Sequence, residues 1–156
     1  MSHAYILWIA TFAYAMHAFE EYCFDWRGWA TAVLQLPVSW EHFYLVNAAV
    51  VVLGATCAMV GWQLPLYALA FPALMFINGL LFHVLPFLWT AGRFSPGLFT
   101  AVGLFFPLGG WAYYGAWQDG VLTVAVGLES FLLAALLMLS PIVMLKLRSR
   151  PYFRQN

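Results

Sequence analysis

His17, Glu20 and Glu21 stand within five residues of one another in a largely apolar stretch from Ala4 to Tyr22, and no Lys or Arg precedes Arg27. On a helix, residues three and four apart lie on one flank, so the His17 imidazole faces the same way as both acids. A charged side chain near the middle of a bilayer costs at least about 2.5 kcal/mol on insertion scales. Two adjacent acids in such a segment therefore call for an offset: a metal, a shared proton or a polar cavity. An imidazole and a carboxylate at i and i+4 is the spacing by which helix-borne zinc sites take two ligands, with the intervening acid as general base. Here that pair is His17 and Glu21, with Glu20 as the base. Metal-free chemistry suits the same residues, because two neighbouring carboxyls in low dielectric do not easily both ionise. A neutral acid beside a carboxylate or imidazole can isomerise or cyclise an isoprenoid or sterol-like lipid. The plainest alternative is a buried hydrogen-bond network that holds helices together and does no chemistry.

Partners for the motif are few. His83 is the stronger second histidine and would complete a metal set of His17, Glu21 and His83. Such ligands suit zinc or iron, and also manganese; with several acids and histidines on separate helices, a two-metal site of di-iron type is a further option. Glu41, His42, Asn47, Asn78 and Glu129 are candidates for support or substrate contact. Glu129 has a second reading, as a proton site in a small transporter or ligand-binding protein. His3 falls at a chain end and is expected in solvent, and Arg93 is expected as an interfacial anchor. Cys23 and Cys57 form no C-x-x-C pair and read as small apolar packing residues.

The elements that must carry these groups follow from composition. Of 156 residues, 65% are hydrophobic and 8% charged, with a mean hydropathy of +0.85. A soluble domain carries about 25% charged residues. The chain therefore reads as one all-α domain, a polytopic membrane protein built as a compact bundle of five transmembrane helices. Their expected spans are about 3–24, 40–60, 66–88, 98–117 and 121–145, and the stretch 30–39 is a loop or re-entrant piece. Bends are expected near Pro86, and around Pro107 with Gly109 and Gly110. Ser39 is placed to cap the second helix, with Glu41 in its first turn. Five crossings put all six Lys and Arg on one face, which orients the N-terminus outside and the C-terminus in the cytoplasm. The first apolar segment lacks a basic start and a cleavage site, so it reads as a retained helix rather than a leader. The expected location is the inner (cytoplasmic) membrane, the expected partners are membrane lipids and a lipophilic small molecule, and nucleic acid is not among them.

His17-Ala18-Phe19-Glu20-Glu21 resembles the signature of the HXXEE family, small bacterial membrane proteins named for that motif and without an assigned function. Asn78-Gly79-Leu80-Leu81-Phe82-His83, and the later Arg93-Phe94-Ser95-Pro96-Gly97-Leu98-Phe99-Thr100, resemble that family's Asn…His pair and its aromatic-x-Pro-Gly stretch. The resemblance covers the first four helices and implies a polar site without naming an activity. Asn78 and His83 are five apart, which turns them about 140° from each other on a regular helix. For both to serve one site, the third helix must be locally distorted.

Overall fold

A computed structural model describes residues 2–148 and residue 152. Among these residues the chain is all-helical, without a strand. A 3-10 turn, His3–Tyr5, leads into α1, Ile6–Cys23. A helical turn, Trp26–Trp29, and a π-turn, Ala30–Leu34, follow before α2, Trp40–Val60. The stretch expected as a loop or re-entrant piece is thus helical over its first half and extended only as it approaches Ser39. The Ser39 hydroxyl accepts from the His42 amide at 3.4 Å and so caps α2 as expected. Next come α3, Pro65–Trp89, α4, residues 98–118, and α5, Val124–Arg148. The fifth helix starts three residues later than expected, where the Thr123 hydroxyl accepts from the Val126 amide. Arg150 and Arg154 of the basic tail lie outside the described residues.

Three of these helices are long and apolar enough to cross a membrane: Trp40–Gln63, Pro65–Trp89 and Val124–Leu147. The most apolar window of α3 is 56% buried inside the protein, against 22% for α2 and 11% for α5. α3 is therefore the central helix, and α5 lies at the periphery, packed mainly on α3. Ala10 and Tyr14 of α1 join Phe71 and Met75 of α3 and Phe105 of α4 in one buried cluster. Close approach is allowed by Gly54, where a Cβ would stand 2.7 Å from Phe71 and 2.8 Å from the Thr11 hydroxyl. Small residues at such crossings are how helices associate where lipid removes the hydrophobic drive.

Both proline bends take a particular form. The distortions are π-turns, Gly79–Val84 and Ala101–Phe105, each lying just ahead of its proline, Pro86 or Pro107. A π-turn closes from i to i+5, so the chain returns towards the same face after five residues. That supplies the distortion required between Asn78 and His83. Proline has no N–H to give to the carbonyl four residues back. For Pro86 that carbonyl belongs to Phe82, and the Ser95 hydroxyl donates to it instead at 3.2 Å.

At the opposite end of the bundle, Asp119 ties three connections together. It accepts from the His3 amide at 2.6 Å, pairs with His3 Nδ1 at 2.7 Å and accepts from Trp62 Nε1 at 2.7 Å. His3 is consequently half-buried and anchored, not loose in solvent as expected. Hydrogen bonds from the His3 side chain, then from its amide, hold the Asp119 carboxyl well below the usual carboxylate range.

Candidate metal centre

α1, the second half of α3 and the loop into α4 converge at one end of the bundle. His17 and His83 are fully buried and Glu21 is 4% exposed. Glu21 Oε1 lies 3.5 Å from His17 Nε2 and 3.5 Å from His83 Nε2. The three potential ligand atoms are all within 4.8 Å of one another. The imidazoles meet edge to face, 4.8 Å between centroids, and Phe105 closes the far side of His17 at 4.2 Å. These are the three residues expected from sequence as a metal set, brought together from two helices in a group that could hold an ion.

Hydrogen-bond counting assigns the imidazole tautomers. Thr100 Oγ1 donates its one proton to Glu20 Oε2 over 2.6 Å. The same oxygen lies 2.8 Å from His17 Nδ1 and therefore accepts from it. Ser95 Oγ donates to the Phe82 carbonyl and, at 3.1 Å, accepts from His83 Nδ1. His17 thus carries hydrogen on Nδ1 and turns its Nε2 lone pair to Glu21, and the same tautomer of His83 is the one in which Ser95 keeps its bond to the Phe82 carbonyl. Neither Nε2 has a hydrogen-bond partner among the described residues. Two lone pairs and a carboxylate oxygen facing one another in a buried site repel unless a cation or a proton lies between them. Imidazole and carboxylate ligands bound to zinc at about 2.0–2.2 Å stand about 3.4 Å apart in tetrahedral geometry. The two spacings to Glu21 Oε1 match that separation, while the three atoms as a group span up to 4.8 Å and would draw together around an ion; oriented imidazoles are how metal-bound histidines are normally held.

Glu20 does something else. It accepts from the amides of Gly97, Phe99 and Thr100 at 3.1, 3.2 and 2.8 Å, besides the Thr100 hydroxyl. Both of its oxygens are taken, so it does not stand free as the expected general base. It fastens the loop ahead of α4 over the site. Gly97 is the lid residue of that loop, with φ +96°. A Cβ there would lie 2.6 Å from His83 Cε1 and 2.7 Å from His17 Cε1. Adjacent in sequence, the two acids thus serve different partners.

The remaining candidates separate into three groups. Asn78 stands beside His17, with its Oδ1 buried and unpartnered among the described residues. His42 and Asn47 do not reach the triad; Ser39 Oγ holds His42 Nδ1 at 2.8 Å, and Asn47 donates to the Phe43 carbonyl at 3.0 Å. Both nevertheless line an apolar cavity of about 700 Å³ that has Glu21 in its wall. Glu41 and Glu129 are exposed and line neither triad nor cavity. For Glu129 the reason is helical phase: the buried face of α5 runs through Ser130 and Ala134, and Glu129 is turned about 100° from it. Cys57 is buried as expected, whereas Cys23 is exposed. Ser95, Gly97 and Thr100 were missed in the sequence as site residues. Their signal was the aromatic-x-Pro-Gly stretch itself, which reads as a plain connection when only turn chemistry is considered.

A family model described as a protein of unknown function with HXXEE motif matches residues 8–112. No curated protein and no solved structure matches the chain.

Proposed function

The chain belongs to the family of proteins of unknown function with the HXXEE motif, and for this member we propose an integral membrane enzyme that is metal-dependent and acts on a lipophilic substrate. The reading is carried by one observation: the buried Nε2 atoms of His17 and His83 each lie 3.5 Å from Glu21 Oε1 and have no hydrogen-bond partner among the described residues. His17, Glu21 and His83 are the ligands. A divalent ion there, zinc or iron, would supply Lewis-acid or redox chemistry of hydrolase or oxidoreductase type. Thr100 and Ser95 orient the imidazoles, and Glu20 and Gly97 hold the covering loop in place. With three protein ligands the site keeps an open position, and the cavity beside Glu21 is the side from which a substrate approaches. The proposed topology has five crossings, N-terminus outside and C-terminus in the cytoplasm, so the site lies towards the inner leaflet of the cytoplasmic membrane.

A proton is the competing occupant. Glu21 in its acid form, equidistant from two imidazoles, would make a metal-free acid–base pair suited to isomerising or cyclising an isoprenoid or sterol-like lipid. Elemental analysis of the purified protein separates the two. The metal reading expects zinc or iron close to one per chain, lost in His17→Ala and in His83→Ala. Metal-free protein after preparation without chelator, which also fails to take up added zinc or ferrous iron, overturns it and leaves the proton.

A further inference from the structure

The cavity next to Glu21 has a shape and a polarity that specify an occupant. Along α2 its lining runs from His42 to Leu53, and on α5 from Leu137 to Leu147. Eleven residues of helix rise about 16 Å, roughly half of a 30 Å hydrocarbon core. The cavity is therefore one leaflet deep, in the half of the bundle that contains the triad. Its side walls are α2 and α5, which pack on other helices rather than on each other. α3 closes its back through Leu74 and Phe82. An opening between two membrane helices admits a molecule from the bilayer rather than from water.

Besides His42 and Ser140, the polar groups that line this space include Glu21, Trp26, Asn47 and Asn78. Among the described residues, Trp26 Nε1 is a buried donor and Asn47 Oδ1 a buried acceptor without hydrogen-bond partners, and Asn78 Oδ1 is a buried acceptor whose near neighbour is His17. All three residues line the cavity, as does Glu21. No Lys or Arg is among the described residues that line it. Among the described lining residues a phosphate or carboxylate headgroup would meet the Glu21 carboxyl and no Lys or Arg, with His42 the one basic side chain. A hydroxyl both donates and accepts, and so answers a mixed set of unpaired donors and acceptors. At about 700 Å³ the space lies within the range that encloses a small-molecule ligand.

We infer that this cavity takes the chain of an uncharged long-chain lipid, entering sideways between α2 and α5, with a hydroxyl or ester oxygen at the Trp26, Asn47 and Asn78 end beside Glu21. As a statement about substrate it rests on the proposed enzyme; as a statement about binding it does not. Hexadecanol carrying a mid-chain diazirine is a direct probe, applied to the full chain reconstituted in phosphatidylcholine vesicles. The crosslinks are expected within 42–53 and 137–147, and excess unlabelled hexadecanol is expected to displace them. Ala49→Trp and Ser140→Trp fill the cavity from α2 and α5 at exposed lining positions. Each is expected to lower labelling at least tenfold while leaving the metal content of the protein at the parent level. Labelling spread evenly over the outer faces of α2, α3 and α5, reaching Leu128 and Leu132, overturns the proposal. So does displacement by palmitate as effective as that by hexadecanol, because the occupant would then carry charge. Labelling confined to the cavity of a protein that binds no metal upholds the lipid site and removes the metal-dependent enzyme.

Discussion

Thr100→Val tests whether the second layer of the site works as its geometry requires. Valine keeps the shape of threonine and removes the hydroxyl. It withdraws the acceptor 2.8 Å from His17 Nδ1 and the donor 2.6 Å from Glu20 Oε2. A buried donor left unsatisfied costs about 1–3 kcal/mol. Part of that cost is escaped if the imidazole turns, but then Nε2 no longer points at Glu21. Either way the loss falls on metal binding, and about 1.4 kcal/mol is a factor of ten. Removing an outer partner of a metal-bound histidine typically weakens affinity about 10–100-fold, which agrees with the hydrogen-bond estimate. The assay is zinc titration of apoprotein in detergent against a chromogenic chelator, with circular dichroism to check helix content. Thr100→Ser should restore affinity, because it returns the hydroxyl. Thr90→Val is the control: that hydroxyl bonds to the Pro86 carbonyl of its own helix and touches no ligand. A Thr100→Val protein that binds zinc within twofold of the parent refutes the tautomer assignment. The claim that Nε2 is the ligating atom of His17 would go with it.

Two further predictions use other parts of the structure. Gly97→Ala adds a Cβ within 2.7 Å of a carbon in each imidazole at φ +96°, where a left-handed backbone costs a non-glycine residue about 1–2 kcal/mol; bound metal should be lost in elemental analysis. Gly92→Ala has a similar φ of +90° but its nearest neighbour is 3.9 Å away, so it should keep its metal, and equal loss in both would assign the effect to backbone strain alone. Asp119→Asn tests the clasp at the opposite end by thermal melting between pH 3 and pH 7. Because the folded pKa of Asp119 is depressed, its contribution is present above the unfolded value of about 3.9 and is lost as pH falls through the folded value. The parent should therefore lose melting temperature in acid faster than the variant, and parallel curves would exclude Asp119 as the cause.

How much of this was legible in the sequence depends on the range of the interaction concerned. Hydropathy exposed the long helices, and the i, i+4 rule placed His17 over Glu21 because both depend only on residues within a turn. The cap at Ser39 is equally local. The role of Glu20 is not local, since its partners are 77 to 80 residues away, and no pattern around position 20 distinguishes a free base from an acceptor of backbone amides. Glu129 shows the same limit from the other side. An acid in an apolar segment signals function by default, yet which face of α5 packs on α3 is decided by Ser130 and Ala134, and Glu129 falls outside that face.

Proline marks where local and distant information join. Pro86 and Pro107 could be read as bends, but the chemistry lies in what the missing N–H leaves behind. The freed Phe82 carbonyl takes the Ser95 proton, and that donation turns Ser95 into an acceptor for His83 Nδ1. The π-turn ahead of Pro86 brings Asn78 round to the face of His83. A single backbone donor absent from α3 thus leaves room for the Ser95 hydroxyl between the Phe82 carbonyl and His83 Nδ1. Replacing Pro86 would restore a competitor for the Phe82 carbonyl, so the proline acts on the site through Ser95.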